Sequence, residues 1–219
     1  MVLEPDDAAE QVQEAAEDSA GETHAAERRF RTRAAIVLGV LAMLLALASL
    51  GGDNSSKEIV NANIRASDTF AFYQAKNIRQ TANQLAADAL RAELALAGTG
   101  VSEEARRTVQ QLIDKYTATV ARYESESDPT DPSNPLKGEG KTQLLAQARA
   151  FETKRDRAQE QDPNFDYATS LFQIAIVLGS VAIVSVSRRL LVFAVSLGAV
   201  AFLLMLNGFL LIRTLPFGD

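Results

Sequence analysis

Three stretches without a single ionisable side chain constrain this chain more than any other feature: Ala34–Gly52 (19 residues), Tyr167–Ser187 (21) and Leu190–Ile212 (23). A helix needs about 20 apolar residues to cross a hydrocarbon core, so each stretch predicts a membrane span. That excludes a water-soluble globular fold. The expected fold class is an all-α membrane protein, with three transmembrane helices plus an extramembrane antiparallel helical hairpin or coiled coil between the first and second spans.

Composition removes much of the usual chemistry. The chain has no Cys, hence no disulfide, no thiolate nucleophile and no Cys-ligated metal. Its one histidine, His24, leaves no multi-histidine metal site and no Ser/His pair. An enzyme would rest on Asp, Glu, Lys, Ser or Tyr alone, and no nucleophile-and-base motif is visible. No catalytic residue, metal site or cofactor is expected.

Charge is uneven along the chain. Residues 1–33 hold four Arg against nine acids, residues 53–166 hold 15 basic against 18 acidic, and residues 167–219 hold three against one, for a net charge of −6. Nucleic-acid binding needs basic side chains gathered on one face, so no nucleic-acid partner is expected. Residues 1–27, acidic and rich in Ala, Glu and Gln, read as a solvated tail, disordered or weakly helical, with His24 an exposed bystander.

Arg28, Arg29, Arg31 and Arg33 stand directly before the first apolar run, and Arg188 and Arg189 are the only charges between the second and third. Cationic flanks stay on the cytoplasmic side, and both clusters satisfy that rule at once. The N-terminus is then cytoplasmic and residues 53–166 extracytoplasmic, although Lys154, Arg155 and Arg157 lie close before the second span. The charged stretch ahead of the first run is too long for a cleaved signal peptide, so residues 28–52 read as an uncleaved anchor. Within the spans, Ala35/Gly39, Ala175/Gly179 and Ala194/Gly198 place small residues four apart, a pattern that lets helices approach closely. Gln173 and Asn207, the strongest polar groups at depth, are expected to hydrogen-bond across helices.

Between the first two spans, Gly51 and Gly52 are expected to release the helix, and Ser55-Ser56-Lys57-Glu58 to form a capping box opening another over residues 55–97. Ile64, Ala71, Ile78, Leu85 and Ala92 recur every seven residues, with Ala75, Ala82, Ala89 and Leu96 four beyond. That is a coiled-coil seam. After the turn at Ala97-Gly98-Thr99-Gly100, Ser102 caps a helix over 103–124; a linker with three prolines follows over 125–138, then a helix over 139–161 stopped by Asp162-Pro163. The chain is expected to climb on one helix and descend on two. Phe70, Phe72 and Tyr73 exceed what one seam buries, and either the descending helices, another subunit or a wholly internal core accommodates them. Spans follow over 167–187 and 190–212.

Asp68 sits on the seam and is costly there unless paired, so Arg79 or Lys76 of a neighbouring helix, or a cation of the 139–161 helix, is expected to meet it. Such a pair fixes helix register; the competing reading is a recognition patch for a partner or an anionic ligand.

The runs Ser55-Ser56-Lys57-Glu58, Asn61–Gln80, Gly138-Glu139-Gly140-Lys141, Asp162-Pro163-Asn164-Phe165-Asp166 and Leu206-Asn207-Gly208-Phe209 resemble the bacterial domain-of-unknown-function family 4337 over residues 28–213. The core of the resemblance is Ser67, Asp68, Phe72, Tyr73, Gln74, Ala75, Lys76 and Arg79. It implies a small three-span protein of the bacterial inner membrane and supplies no activity. The expectation is a non-enzymatic scaffold or accessory subunit, contacting membrane lipid, forming a homo-oligomer or joining a larger membrane complex. The alternative is an oligomeric pore or transport component lined by Gln173, Ser180, Ser196 or Asn207.

Overall fold

The computed structural model describes residues 5–214, with side chains described for 25–98 and 100–214. The side chain of His24 and the last five residues lie outside them. The described residues form four α-helices and no β-strand: α1 (Pro5–Ala97), α2 (Glu103–Glu124), α3 (Lys141–Val184) and α4 (Arg188–Leu210). Three of them, α1, α3 and α4, are long and apolar enough to cross a membrane.

Two expected breaks are absent. α1 runs through Gly51, Gly52 and Ser55 without interruption, so no capping box forms and Ser55 is buried within the helix. Gly51 acts through its missing side chain: a Cβ there would collide with the Phe165 ring. α3 likewise runs through Asp162-Pro163. Proline lacks the N–H that a helix interior needs; one turn around it, Asn164 Nδ2 donates to Glu160 O at 3.0 Å, bonding a backbone carbonyl beside the gap. The acidic segment expected to be disordered or weakly helical is helical from Pro5.

The chain divides into two compact units, one comprising the segments up to Ser56 and from Gln159 onward, the other Lys57–Ala158. The first is built on the apolar segments of α1, α3 and α4. Its core is Leu41 and Ala48 from α1, Phe165, Ala168, Phe172 and Ala175 from α3, and Ala201 and Met205 from α4. Alanine and glycine are what permit the close contacts, as packing between apolar helices in lipid requires. A Cβ on Gly179 would fall 2.6 Å from Leu38 Cδ2, and one on Gly198 2.5 Å from Leu41 Cδ2. Gly39 meets nothing within 4 Å, so of the three expected small faces it alone is open.

In the second unit α2 and the first turns of α3 oppose α1. Contacts fall along α2 as they rise along α1: Gln80 with Val120, Arg91 with Thr117, Gly98 with Arg106. Along α3 they run from Tyr73 with Lys141 to Arg65 with Phe151. One helix ascends and two descend. Ser102 caps α2 by accepting from Ala105 N at 3.2 Å, as its sequence position predicts.

Candidate interaction site

The packed face of α1 in this unit is Ala62, Ala66, Thr69, Tyr73, Lys76, Gln80, Asn83, Ala87, Leu90 and Leu94, all buried or half-buried. Its steps alternate four and three, as a helix seam must, yet half its members are polar. They are tolerated because each long polar group finds partners, and no buried side-chain nitrogen or oxygen among the described residues lacks one.

Lys76 is the centre of that face. Its side chain is 6% exposed, and Nζ lies 3.1 Å from Glu126 Oε2 and 3.9 Å from Glu139 Oε2 while donating to the Glu139 carbonyl. The rings of Phe72 and Tyr123 stand 5.7 and 5.6 Å from the ammonium, within cation–π range. One turn on, Lys141 Nζ donates to Gln80 Oε1 at 2.7 Å and Glu124 Oε2 at 3.2 Å, over the face of Tyr73. Gln80 Nε2 also donates to Glu124 at 2.9 Å, and these donors hold the Glu124 carboxyl below the usual glutamate range.

The proline-containing linker closes onto this cluster. Glu139 N donates to Glu126 O at 2.9 Å, and Gln143 accepts from Glu126 N at 3.2 Å while donating to Ser125 and Ser127. Gly138 has φ +105°, and a Cβ there would collide with Glu126 O. A left-handed, crowded position of that kind admits only glycine readily.

Opposite the packed face lies the stripe expected to be the seam. Ile64 is 52% exposed, Ile78 70%, Leu85 65% and Leu96 88%. Helix geometry is the cause: two residues of offset turn a helix by about 200°, so a helix with one stripe on Ala62 and Ala66 and another on Ile64 and Asp68 buries one and presents the other. Within the chain the polar stripe is buried, because Lys76, Tyr73 and Gln80 are satisfied there.

Residues 30–211 match the family model described as a domain of unknown function (DUF4337). The chain belongs to that family. No curated protein and no solved structure matches it. In this DUF4337 chain the separate runs on which the resemblance rests meet in pairs. Phe72, Tyr73 and Lys76 join Glu139 and Lys141 in the cluster above. In the first unit, Asn207 Nδ2 donates to Asn164 Oδ1 at 2.7 Å, and Phe165 packs edge-on to Phe209 with centroids 4.8 Å apart.

Other expected residues separate from these. Asp68 is exposed and makes no ion pair among the described residues, with neither the 139–161 helix nor the Lys76 and Arg79 of its own chain. Lys76 is taken by Glu126 and Glu139, and Arg79 is exposed. Phe70 is half-buried and Phe72 is 41% exposed. Asn207 bonds across helices as expected, and also to the Arg213 backbone at 2.8 and 3.0 Å. Gln173 is exposed and its side chain makes no hydrogen bond among the described residues. Ser180 and Ser196 donate to carbonyls of their own helices at 2.9 and 3.0 Å. Arg31 lies 3.9 Å from Glu27, and Arg28 and Arg189 are exposed. Arg29, Arg33 and Arg188 share a cavity. Glu126, Glu139 and Asn164, central to the packing, are not among the site residues that sequence reasoning finds; Glu139 and Asn164 lie within the quoted runs, and Glu126, in the linker, carries no such signal.

Proposed function

We propose that this protein is a membrane-anchored, non-enzymatic scaffold whose output is contact: it self-associates through the outward stripe of α1. The observation that carries this reading is the exposure of Ile64, Ile78, Leu85 and Leu96 on a helix whose opposite face is already packed. That stripe belongs to a segment with 15 basic and 18 acidic residues, which faces water rather than lipid. Exposed apolar rows of this length mark interaction surfaces. With a seam spacing that is its own complement, a second copy is the simplest partner.

Two copies inserted in one bilayer with the same orientation hold α1 parallel. Like then meets like, Ile78 against Ile78 and Leu85 against Leu85, with alanine layers between them. The intervening Ala71, Ala75, Ala82, Ala89 and Ala92 allow close approach. Bacterial inner membrane, cytoplasmic N-terminus and extracytoplasmic 53–166 belong to the same proposal and rest on the arginine flanks at Arg28–Arg33 and Arg188–Arg189.

The test uses the absence of native cysteine. Single Ile64→Cys, Ile78→Cys and Leu85→Cys variants should each form disulfide-linked dimers under mild oxidation, whereas Asn77→Cys and Gln84→Cys should not. Cross-linking at Ile78 without cross-linking at Ile64 indicates antiparallel pairing. A strictly monomeric mass for the full chain in mild detergent and in lipid nanodiscs overturns the proposal.

A further inference from the structure

The geometry points to a binding site for the headgroup of an anionic phospholipid between α1 and α4, formed by Arg29, Arg33 and Arg188. These arginines line a cavity of about 730 Å³ together with Phe30, Leu191 and Val192, a size within the usual range for ligand clefts, about 300–1,000 Å³. Among the described residues no carboxylate lines it, and the acid nearest in sequence, Glu27, lies 3.9 Å from Arg31 instead. Among the described residues none of the three guanidinium groups has an ion-pair partner.

The wall is divided by chemistry. Arg33 and Arg188 are within two residues of where the uncharged stretches at Ala34 and Leu190 begin, so cations and apolar side chains meet at one end of the helix bundle. Val192 is 65% exposed beside them. Arg188 opens α4, whose N-cap Ser187 makes no side-chain capping bond, so the first N–H groups of the helix have no side-chain cap.

A ligand for this cavity needs oxyanions for several guanidinium donors and a hydrocarbon portion for Phe30, Leu191 and Val192. A phosphodiester headgroup with its acyl chains supplies both, and guanidinium matches it with paired hydrogen bonds. A zwitterionic headgroup would bring an ammonium group against three cations. A free phosphate ion would leave the apolar wall wet. The inference rests on location in a bilayer and is independent of self-association.

The chain has no Trp, so Phe30→Trp places a single reporter in the site and Ile212→Trp a control at the other end of α4. Each variant of the full chain is reconstituted in phosphatidylcholine–phosphatidylglycerol vesicles carrying brominated chains on one lipid or the other. Retained helical content and melting temperature establish that each variant folds. The Phe30→Trp reporter should show a preference of about fivefold or more for phosphatidylglycerol, with a ratio near unity at Ile212→Trp. Adding Arg33→Gln and Arg188→Gln should abolish the preference, whereas removing the same charge by Arg31→Gln and Arg189→Gln should preserve it. Equal quenching by both lipids, or equal loss in the two double variants, overturns the site. So does loss of preference on adding millimolar inorganic phosphate at matched ionic strength, which assigns the cavity to a soluble anion. A monomeric protein with the expected selectivity leaves this inference standing while removing the self-association proposal.

Discussion

Lys76 Nζ and Glu126 Oε2 lie 3.1 Å apart, but the lysine side chain is 6% exposed and the glutamate 37%. The burial is one-sided, which makes the two residues unequal under mutation. Removing the carboxylate leaves a buried ammonium with the Glu139 carbonyl as its main partner; removing the ammonium leaves a carboxylate that water reaches. Glu126→Gln should destabilise the chain by about 1–3 kcal/mol, more than Lys76→Met, whose apolar stem still fills the space between Phe72 and Tyr123. Thermal melts of the four members of the double-mutant cycle measure the coupling, and an equal cost for both single variants contradicts the asymmetry.

Acid should loosen the α2–α3 end of the same unit. The Glu124 carboxyl is held low, first by the hydrogen bond from Gln80 and then by that from Lys141. A folded-state value below the unfolded one stabilises above the unfolded pKa, and that contribution disappears as pH falls through the folded value. Melting temperature should therefore drop on acidification below about pH 4.5, and the slope should be shallower in Glu124→Gln. An unchanged slope removes the role assigned to Gln80.

Asp162 should behave in the opposite sense. Burial pushes its carboxyl above the usual aspartate range, against the lowering effect of the hydrogen bond from Ser56 Oγ at 3.1 Å, and Asp166 adds to the rise. A raised value favours the folded state below the unfolded pKa and loses that benefit as pH rises through the folded one. At neutral pH Asp162→Asn should raise the melting temperature; a drop shows that the carboxylate stabilises as an anion.

Glycine positions in the apolar bundle separate cleanly. Gly51→Ala drives a methyl group into Phe165, which is 2% exposed and fixed between Gly51 and Gly208. That overpacking should cost about 1–3 kcal/mol. Gly39→Ala meets open space and gains about 1 kcal/mol of helix propensity. Equal effects in melts of the two variants contradict the packing described.

Asp68 interrupts the outward stripe between Ile64 and Ala71. In a parallel pair it faces its own copy, and a polar residue at such a position selects register at a cost in stability. Asp68→Ala should tighten dimerisation by about tenfold, near 1.4 kcal/mol, and permit cross-links staggered by seven residues between Ile64→Cys and Ala71→Cys chains. Weaker association in the variant indicates a cation across the interface.

Local composition was enough to determine which segments become apolar helices. Ala34–Gly52, Tyr167–Ser187 and Leu190–Ile212 carry no charge, and a long apolar run satisfies its backbone most simply as helix. The turn at Gly98 and the Ser102 cap were legible for the same reason, since both depend on a few neighbouring residues. Tertiary contacts decided the rest. Gly51 and Pro163 look like breaks in isolation, but a ring against one and an asparagine amide beside the other lie within continuous helices. Periodicity marked the heptad on α1 but assigned the packed seam to the wrong side: a stripe of Ile and Leu looks more like a core than one containing Lys76 and Gln80, yet it is the exposed one. Only the partners of those polar groups, more than forty residues away in the chain, make their burial favourable, and distant hydrogen bonds leave no mark on local hydropathy.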